Sequence, residues 1–247
     1  MDLLILIGVA ATFFAAGATK GISGMGLPTV SIGLLGLFMT PASAAALLVL
    51  PSLLTNVLQC WGRYYVKITA LLWPMWLGIF AGVLLTPLPS LASGAATVRL
   101  GLGFLLLAYA AYGLARPSIR LNLRGRRLGL VALPVGYATG ALTAATGVFI
   151  VPMVMFLQML ALDKEEMVQA LGLSFTVCTL ALGMSLGWSA SWRAVSSLQG
   201  VLAIVCAFAG LACGARMRER ISAAAFRKLL FVVFGLLGAA LVAKEFA

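Results

Sequence analysis

The chain has 247 residues, of which 63% are hydrophobic and only 9% charged, with a net charge of +11 and no histidine. A soluble domain carries roughly 25% charged residues, so a soluble helical protein is set aside and an integral membrane protein remains. The basic excess sits in short connections between apolar runs, where it sets orientation and meets lipid headgroups, so nucleic acid is not an expected partner.

Ten apolar segments follow one another, at about 3–19, 25–38, 43–60, 67–86, 97–115, 129–145, 147–161, 166–187, 194–214 and 224–243. Most approach the ~20 residues needed to cross a bilayer, while the second and seventh are shorter. The first has Asp2 at its start and no Lys or Arg before Lys20. It therefore lacks the basic leader of a signal peptide and is expected to be retained. Between the first and second segments lies Gly17-Ala18-Thr19-Lys20-Gly21-Ile22-Ser23-Gly24-Met25-Gly26-Leu27-Pro28, a glycine-rich break that holds the one charge set deep within apolar sequence. Thr40 is placed to cap the third segment, which carries Asn56 and Gln59 one turn apart and is followed by Arg63 and Lys67. A connection with Arg116, Arg120, Arg124, Arg126 and Arg127 precedes the sixth segment. That segment holds Gly136-x-x-x-Gly140 and ends in a second break at Gly147. Asp163 is placed to cap the eighth segment, which carries Ser174 and Thr176; Arg216, Arg218, Arg220, Arg227 and Lys228 lie between the ninth and tenth.

The halves echo one another. Gly17-x-x-x-Gly21 matches Gly136-x-x-x-Gly140 at an offset of 119, Thr40 matches Asp163 at 123, and Phe80-Ala81-Gly82 matches Phe208-Ala209-Gly210 at 128. A duplicated unit of five segments is the reading: a first membrane repeat over 1–116, a basic cytoplasmic linker over 117–128 and a second membrane repeat over 129–247. The positive-inside rule puts all three basic connections in the cytoplasm. Ten crossings satisfy this, and so do six crossings with two re-entrant hairpins; eight simple crossings do not. The unit has odd parity in either case, so the repeats are expected to be inverted. The expected fold is an all-α polytopic membrane protein of about eight to ten transmembrane or re-entrant helices, with broken helices at the repeat interface.

The acidic residues are Asp2, Asp163, Glu165, Glu166, Glu219 and Glu245, all at chain ends or in loops. A carboxylate proton relay within the membrane is therefore not expected. With no histidine and no C-x-x-C pair, Cys60, Cys178, Cys206 and Cys213 read as packing residues, and no metal or other cofactor is implied. The breaks suit a small oxyanion. Glycine lets the backbone leave helical geometry, and the helix that restarts there points N–H groups and a positive dipole into the site. Thr19, Lys20, Ser23, Gly24, Met25 and Gly26 of the first break, and Thr143, Ala144, Thr146 and Gly147 of the second, are the candidate binding residues. Asn56, Gln59, Ser174 and Thr176 join them as polar groups inside spans. For each a plainer role is open: close helix packing for Gly17 and Gly136, snorkelling for Lys20, interhelical glue for Asn56 and Gln59.

Enzyme motifs are missing, since Gly21-x-Ser23-Gly24 lacks the second glycine of G-x-S-x-G and Gly24-x-Gly26 does not extend to G-x-G-x-x-G. The stretch Lys20 to Pro28, together with Gly140-Ala141-Leu142-Thr143-Ala144-Ala145-Thr146-Gly147-Val148-Phe149-Ile150-Val151-Pro152, resembles the TauE/SafE (sulfite exporter) family of membrane permeases. Both runs depart from the family's consecutive glycines. The resemblance implies passage of sulfite, a sulfonate or a related organic anion through the plasma membrane. The expected function is a secondary transporter of such an anion working by alternating access. The alternatives are a channel-like or structural membrane protein, or a transporter of another small solute. The expected partners are the anion and membrane lipids, and a homodimer is compatible with the chain.

Overall fold

The computed structural model describes residues 3–89, 91, 96–115, 125–160, 162–187, 197–218, 220 and 223–246. They form ten helices: α1 (Leu3–Ser23), α2 (Leu27–Leu35), α3 (Pro41–Cys60), α4 (Tyr65–Leu85), α5 (Ala96–Ala115), α6 (Gly125–Thr146), α7 (Met153–Met159), α8 (Lys164–Leu186), α9 (Ser197–Met217) and α10 (Ala223–Phe246). Arg116, Arg120, Arg124 and Glu219 lie outside the described residues, as do the side chains of Arg227 and Glu245. Seven of the helices are long and apolar enough to cross a membrane. The all-α polytopic membrane architecture therefore stands. α2 and α7, at 9 and 7 residues, extend only about 13 and 10 Å and cannot cross alone. The expected caps are in place. The Thr40 side chain accepts from the Ser43 N–H, and Asp163 forms a reciprocal capping box with Glu166.

Lipid is as apolar as leucine, so helices in it associate by close packing of small residues rather than by burial from water. Glycine does this work here. α1 runs parallel to α9: a Cβ on Gly17 would lie 2.2 Å from the Ala207 carbonyl oxygen, and one on Gly210 would lie 2.1 Å from that of Phe14. α4 runs parallel to α6 in the same manner, with Gly140 against the Ile79 carbonyl and Gly82 against that of Tyr137, each at 2.1 Å. α3 lies antiparallel on α8, and α5 antiparallel on α10.

These contacts fix a register between the two halves. Phe14 and Tyr137, like Gly17 and Gly140, stand 123 residues apart, whereas Gly82 and Gly210, like Ile79 and Ala207, stand 128 apart. The Thr40/Asp163 and Phe-Ala-Gly matches agree with that register. The match of Gly17 to Gly136 follows a different spacing: by its packing contact Gly17 is the counterpart of Gly140, one helical turn away. A four-residue glycine spacing looks the same after a slip of one turn. The remaining glycines, Gly21 and Gly136, serve contacts of their own, against the Leu211 and Met75 carbonyls at 2.3 and 2.0 Å.

Packing brings the described basic residues of the connections to one end. Lys67 at the start of α4 is level with Arg126 and Arg127 at the start of α6, because those helices run parallel. Arg218, just past α9, lines a cavity with Arg63 and Lys164. α1 also finishes at this end, since Gly24 is bonded to Gln59 near the end of α3. α3 begins at the opposite end, so α2 and its flanking residues carry the chain back across. α7 does the same between α6 and α8. Each break therefore joins a full-length helix to a short return leg.

Candidate functional site

Lys20 lies in the last turn of α1, three residues before its end, and is only 2% exposed. Its Nζ donates to Thr55 Oγ1 at 3.0 Å and to Asn56 Oδ1, both on α3 and both buried. Thr55 passes its own proton to the carbonyls of Pro51 (2.8 Å) and Ser52 (3.1 Å). Asn56 Nδ2 donates to Ser52 Oγ at 3.4 Å, and the hydroxyls of Ser52 and Thr179 are 3.1 Å apart. Thr179 donates to the Phe175 carbonyl at 2.7 Å, so Ser52 must be the donor to Thr179. A polar chain thus runs from α1 through α3 to α8, with every donor pointing away from Lys20. Its acceptors are all neutral. Among the described residues no carboxylate pairs with Lys20, and the ion pairs of the basic end, Arg63–Glu165 and Lys67–Glu166, lie elsewhere.

The two breaks share one local construction. Gly24 N–H returns to the Lys20 carbonyl (2.7 Å) and Gly147 N–H to that of Thr143 (2.8 Å), so Lys20 and Thr143 are equivalents in the 123-residue register. Gly24 and Gly147 take φ of 78° and 73°, a left-handed turn that a side chain resists. Just before each, a hydroxyl holds the turn. Ser23 Oγ accepts from Met25 N–H and shares its proton between the Thr19 (2.8 Å) and Met25 (2.7 Å) carbonyls. Thr146 Oγ1 accepts from Val148 N–H and donates to the Leu142 carbonyl at 2.7 Å. Thr143 likewise donates to the Thr139 carbonyl at 2.7 Å. These hydroxyls were expected to offer protons to a ligand; in the structure they give them to backbone carbonyls, as Ser and Thr in apolar helices commonly do. Thr19 does the same toward Ala15.

The first break and α3 come together. Gln59 Nε2 donates to the Gly24 carbonyl at 2.7 Å, Thr19 packs under Gly26, and Met25 receives the Tyr109 hydroxyl at 3.9 Å. α2 then starts behind Gly26 with no side-chain cap. Buried hydroxyls on α2, at Thr29 and Ser31, have no partner among the described residues, and neither does Gln59 Oε1. The second break stands apart. A Cβ on Gly147 would press into Ile32 at 2.4 Å with Leu91 and Ala45 beyond, and Ala144 is buried beside it. No described hydrogen bond joins Thr143 or Thr146 to the Lys20 cluster. On α8, Thr176 meets Cys60 at 3.3 Å, next to Gln59, whereas Ser174 turns to α4 and accepts from Trp76 Nε1 at 3.0 Å. Thr55, Ser52, Thr179, Thr29 and Ser31 were not expected from sequence. The available signal was the shared face of positions 52, 56 and 59.

A bundle of long apolar helices, interrupted twice and holding a buried lysine beside one interruption, is the architecture of a multi-pass membrane protein. A family model described as sulfite exporter TauE/SafE matches residues 9–241. The chain belongs to the sulfite exporter TauE/SafE family, a family of membrane transporters rather than of enzymes. No curated protein and no solved structure matches the chain.

Proposed function

We propose that the chain is a secondary transporter that moves a small oxyanion, sulfite, a sulfonate or a related organic anion, across the plasma membrane by alternating access. The observation that carries this reading is Lys20: a basic side chain buried inside the protein in the last turn of α1, held among the described residues by neutral oxygens alone, beside a broken helix. Burying a lysine without a carboxylate partner costs free energy, and such residues inside membrane proteins persist where they do work. Lys20 in its ammonium form has three N–H groups and two described acceptors, so one remains for an anion. The uncapped start of α2 and the unpartnered Thr29 hydroxyl supply further donors.

Two inverted repeats account for the packing. Exchanging α1–α5 with α6–α10 turns the α1–α9 pair into the α6–α4 pair and leaves α3–α8 and α5–α10 as pairs. The equivalents α3 and α8 run antiparallel, as inversion requires. The basic end then faces the cytoplasm. A cell that is negative inside favours anion export by about 2.3 kcal/mol per charge per 100 mV, so export needs no intramembrane acid.

The test is counterflow into proteoliposomes, screened over sulfite, sulfate, sulfonates and short carboxylates. Lys20→Gln is expected to cut flux of the transported anion at least about tenfold, the size of one lost charge-assisted hydrogen bond, while the protein still inserts and elutes as one species. Wild-type flux in that variant removes Lys20 from the site and with it this reading.

A further inference from the structure

At the basic end, a cavity of about 650 Å³ is lined by Gln59, Trp61, Arg63, Lys164 and Arg218 among others. Glu165 pairs with Arg63 at 3.3 Å, whereas Lys164 and Arg218 have no carboxylate partner among the described residues. The cavity wall therefore carries an excess of positive charge. Gln59 links it to the first break: the same side chain that lines the cavity donates to the Gly24 carbonyl, and Asn56, one turn back along α3, holds Lys20. Gln59 also presses on α8, where a Cβ on Gly172 would lie 2.6 Å from Gln59 Cβ. One hydrogen bond secures its carboxamide, and the other end of that group, Oε1, is buried with no partner.

We propose that this cavity is an anteroom that holds the transported oxyanion against Lys164 and Arg218 before the ion passes the Gln59 carboxamide to reach Lys20. The proposal rests on the anion-transport reading above. Cationic walls concentrate a small anion and raise its capture rate. The carboxamide can release the Gly24 carbonyl and offer the same N–H to the passing ion, so opening exchanges one acceptor for another. Lys20 and the anteroom are then successive stations on one path, separated by a single side chain.

The experiment measures saturation of sulfite flux in proteoliposomes of each orientation, with a Lys164→Gln/Arg218→Gln double variant. From the basic face KM is expected to rise roughly threefold to tenfold with Vmax held. From the other face KM is expected to stay, and the salt dependence of KM seen for the unaltered protein is expected to flatten. Gln59→Glu, of equal size but negatively charged, is expected to lower flux from both faces. An unchanged KM in the double variant, with Lys20→Gln still inactive, overturns the anteroom and leaves the transport reading standing. Wild-type flux in Lys20→Gln overturns that reading instead. A KM change that is equal at both faces, or that appears only in vesicles containing anionic phospholipid, also overturns the anteroom, the latter by assigning the cavity to a lipid headgroup.

Discussion

Asn56 has two duties that one substitution separates from its volume. It accepts from Lys20 and donates to Ser52, so Asn56→Leu leaves a buried donor and a buried acceptor unpaired. The expected cost is about 1–3 kcal/mol, read as a lower unfolding temperature in detergent. A bound anion should give Lys20 back a partner, so the transported species is expected to narrow the gap to the unaltered protein; an equal gap with and without it would separate Lys20 from the ligand. At this scale the sequence pointed to Lys20, Asn56 and Gln59, because a charge and two carboxamides inside apolar runs stand out from their surroundings. It could not single out Ser52, Thr55 or Thr179. A hydroxyl in a membrane helix has a carbonyl one turn back to bond, so its presence says little about where it points. The same ambiguity explains why Ser23, Thr143 and Thr146 looked like ligand donors and turned out to hold the breaks.

Among the helices, the glycine crossings carry the load that hydrophobic burial carries in water. Gly82→Leu or Gly210→Leu puts a side chain where a carbonyl oxygen lies 2.1 Å from the Cβ position. Either variant is expected to lose the folded monodisperse species on size-exclusion chromatography. Gly183→Ala is the control: its Cβ would meet Val49 Cγ1 at 3.4 Å, an ordinary contact, and the variant is expected to behave like the parent. At the start of α8, Glu166 closes the capping box and pairs with Lys67. Glu166→Gln keeps the cap but loses the charge, with an expected cost of about 1 kcal/mol or less given the exposed partner. Most of this level was legible beforehand. Segment lengths marked α2 and α7 as short, and Thr40 and Asp163 were readable as caps. The register of the repeat was not, because Gly-x-x-x-Gly against Gly-x-x-x-Gly fits equally well after a slip of one turn. Which glycine meets which carbonyl depends on the partner helix, and that is far away in the chain.

For the molecule as a whole, two parallel pairs, α1–α9 and α4–α6, are each zipped along their length, while α3–α8 lies between them with the polar chain in its seam. With Lys20 protonated, a loaded site, ammonium plus monoanion, is neutral, whereas an empty one carries the ammonium charge. Net efflux requires the empty protein to reorient, and exchange does not. Net efflux of a monoanionic sulfonate is therefore expected to respond to an imposed potential, with up to about 2.3 kcal/mol per 100 mV available, while one-for-one exchange is expected to ignore it. Equal voltage dependence of the two would place the charge elsewhere.

The row of donors that begins at Lys20 is a dead end. Thr179 gives its single hydroxyl proton to the Phe175 carbonyl, which has nothing to hand on. Hydrogen ions entering at one face have no hopping route to the other along these side chains. A membrane could hold such a protein at high copy number without losing its proton gradient through these side chains. A pH dye trapped in the vesicles should stay steady while a sulfonate crosses.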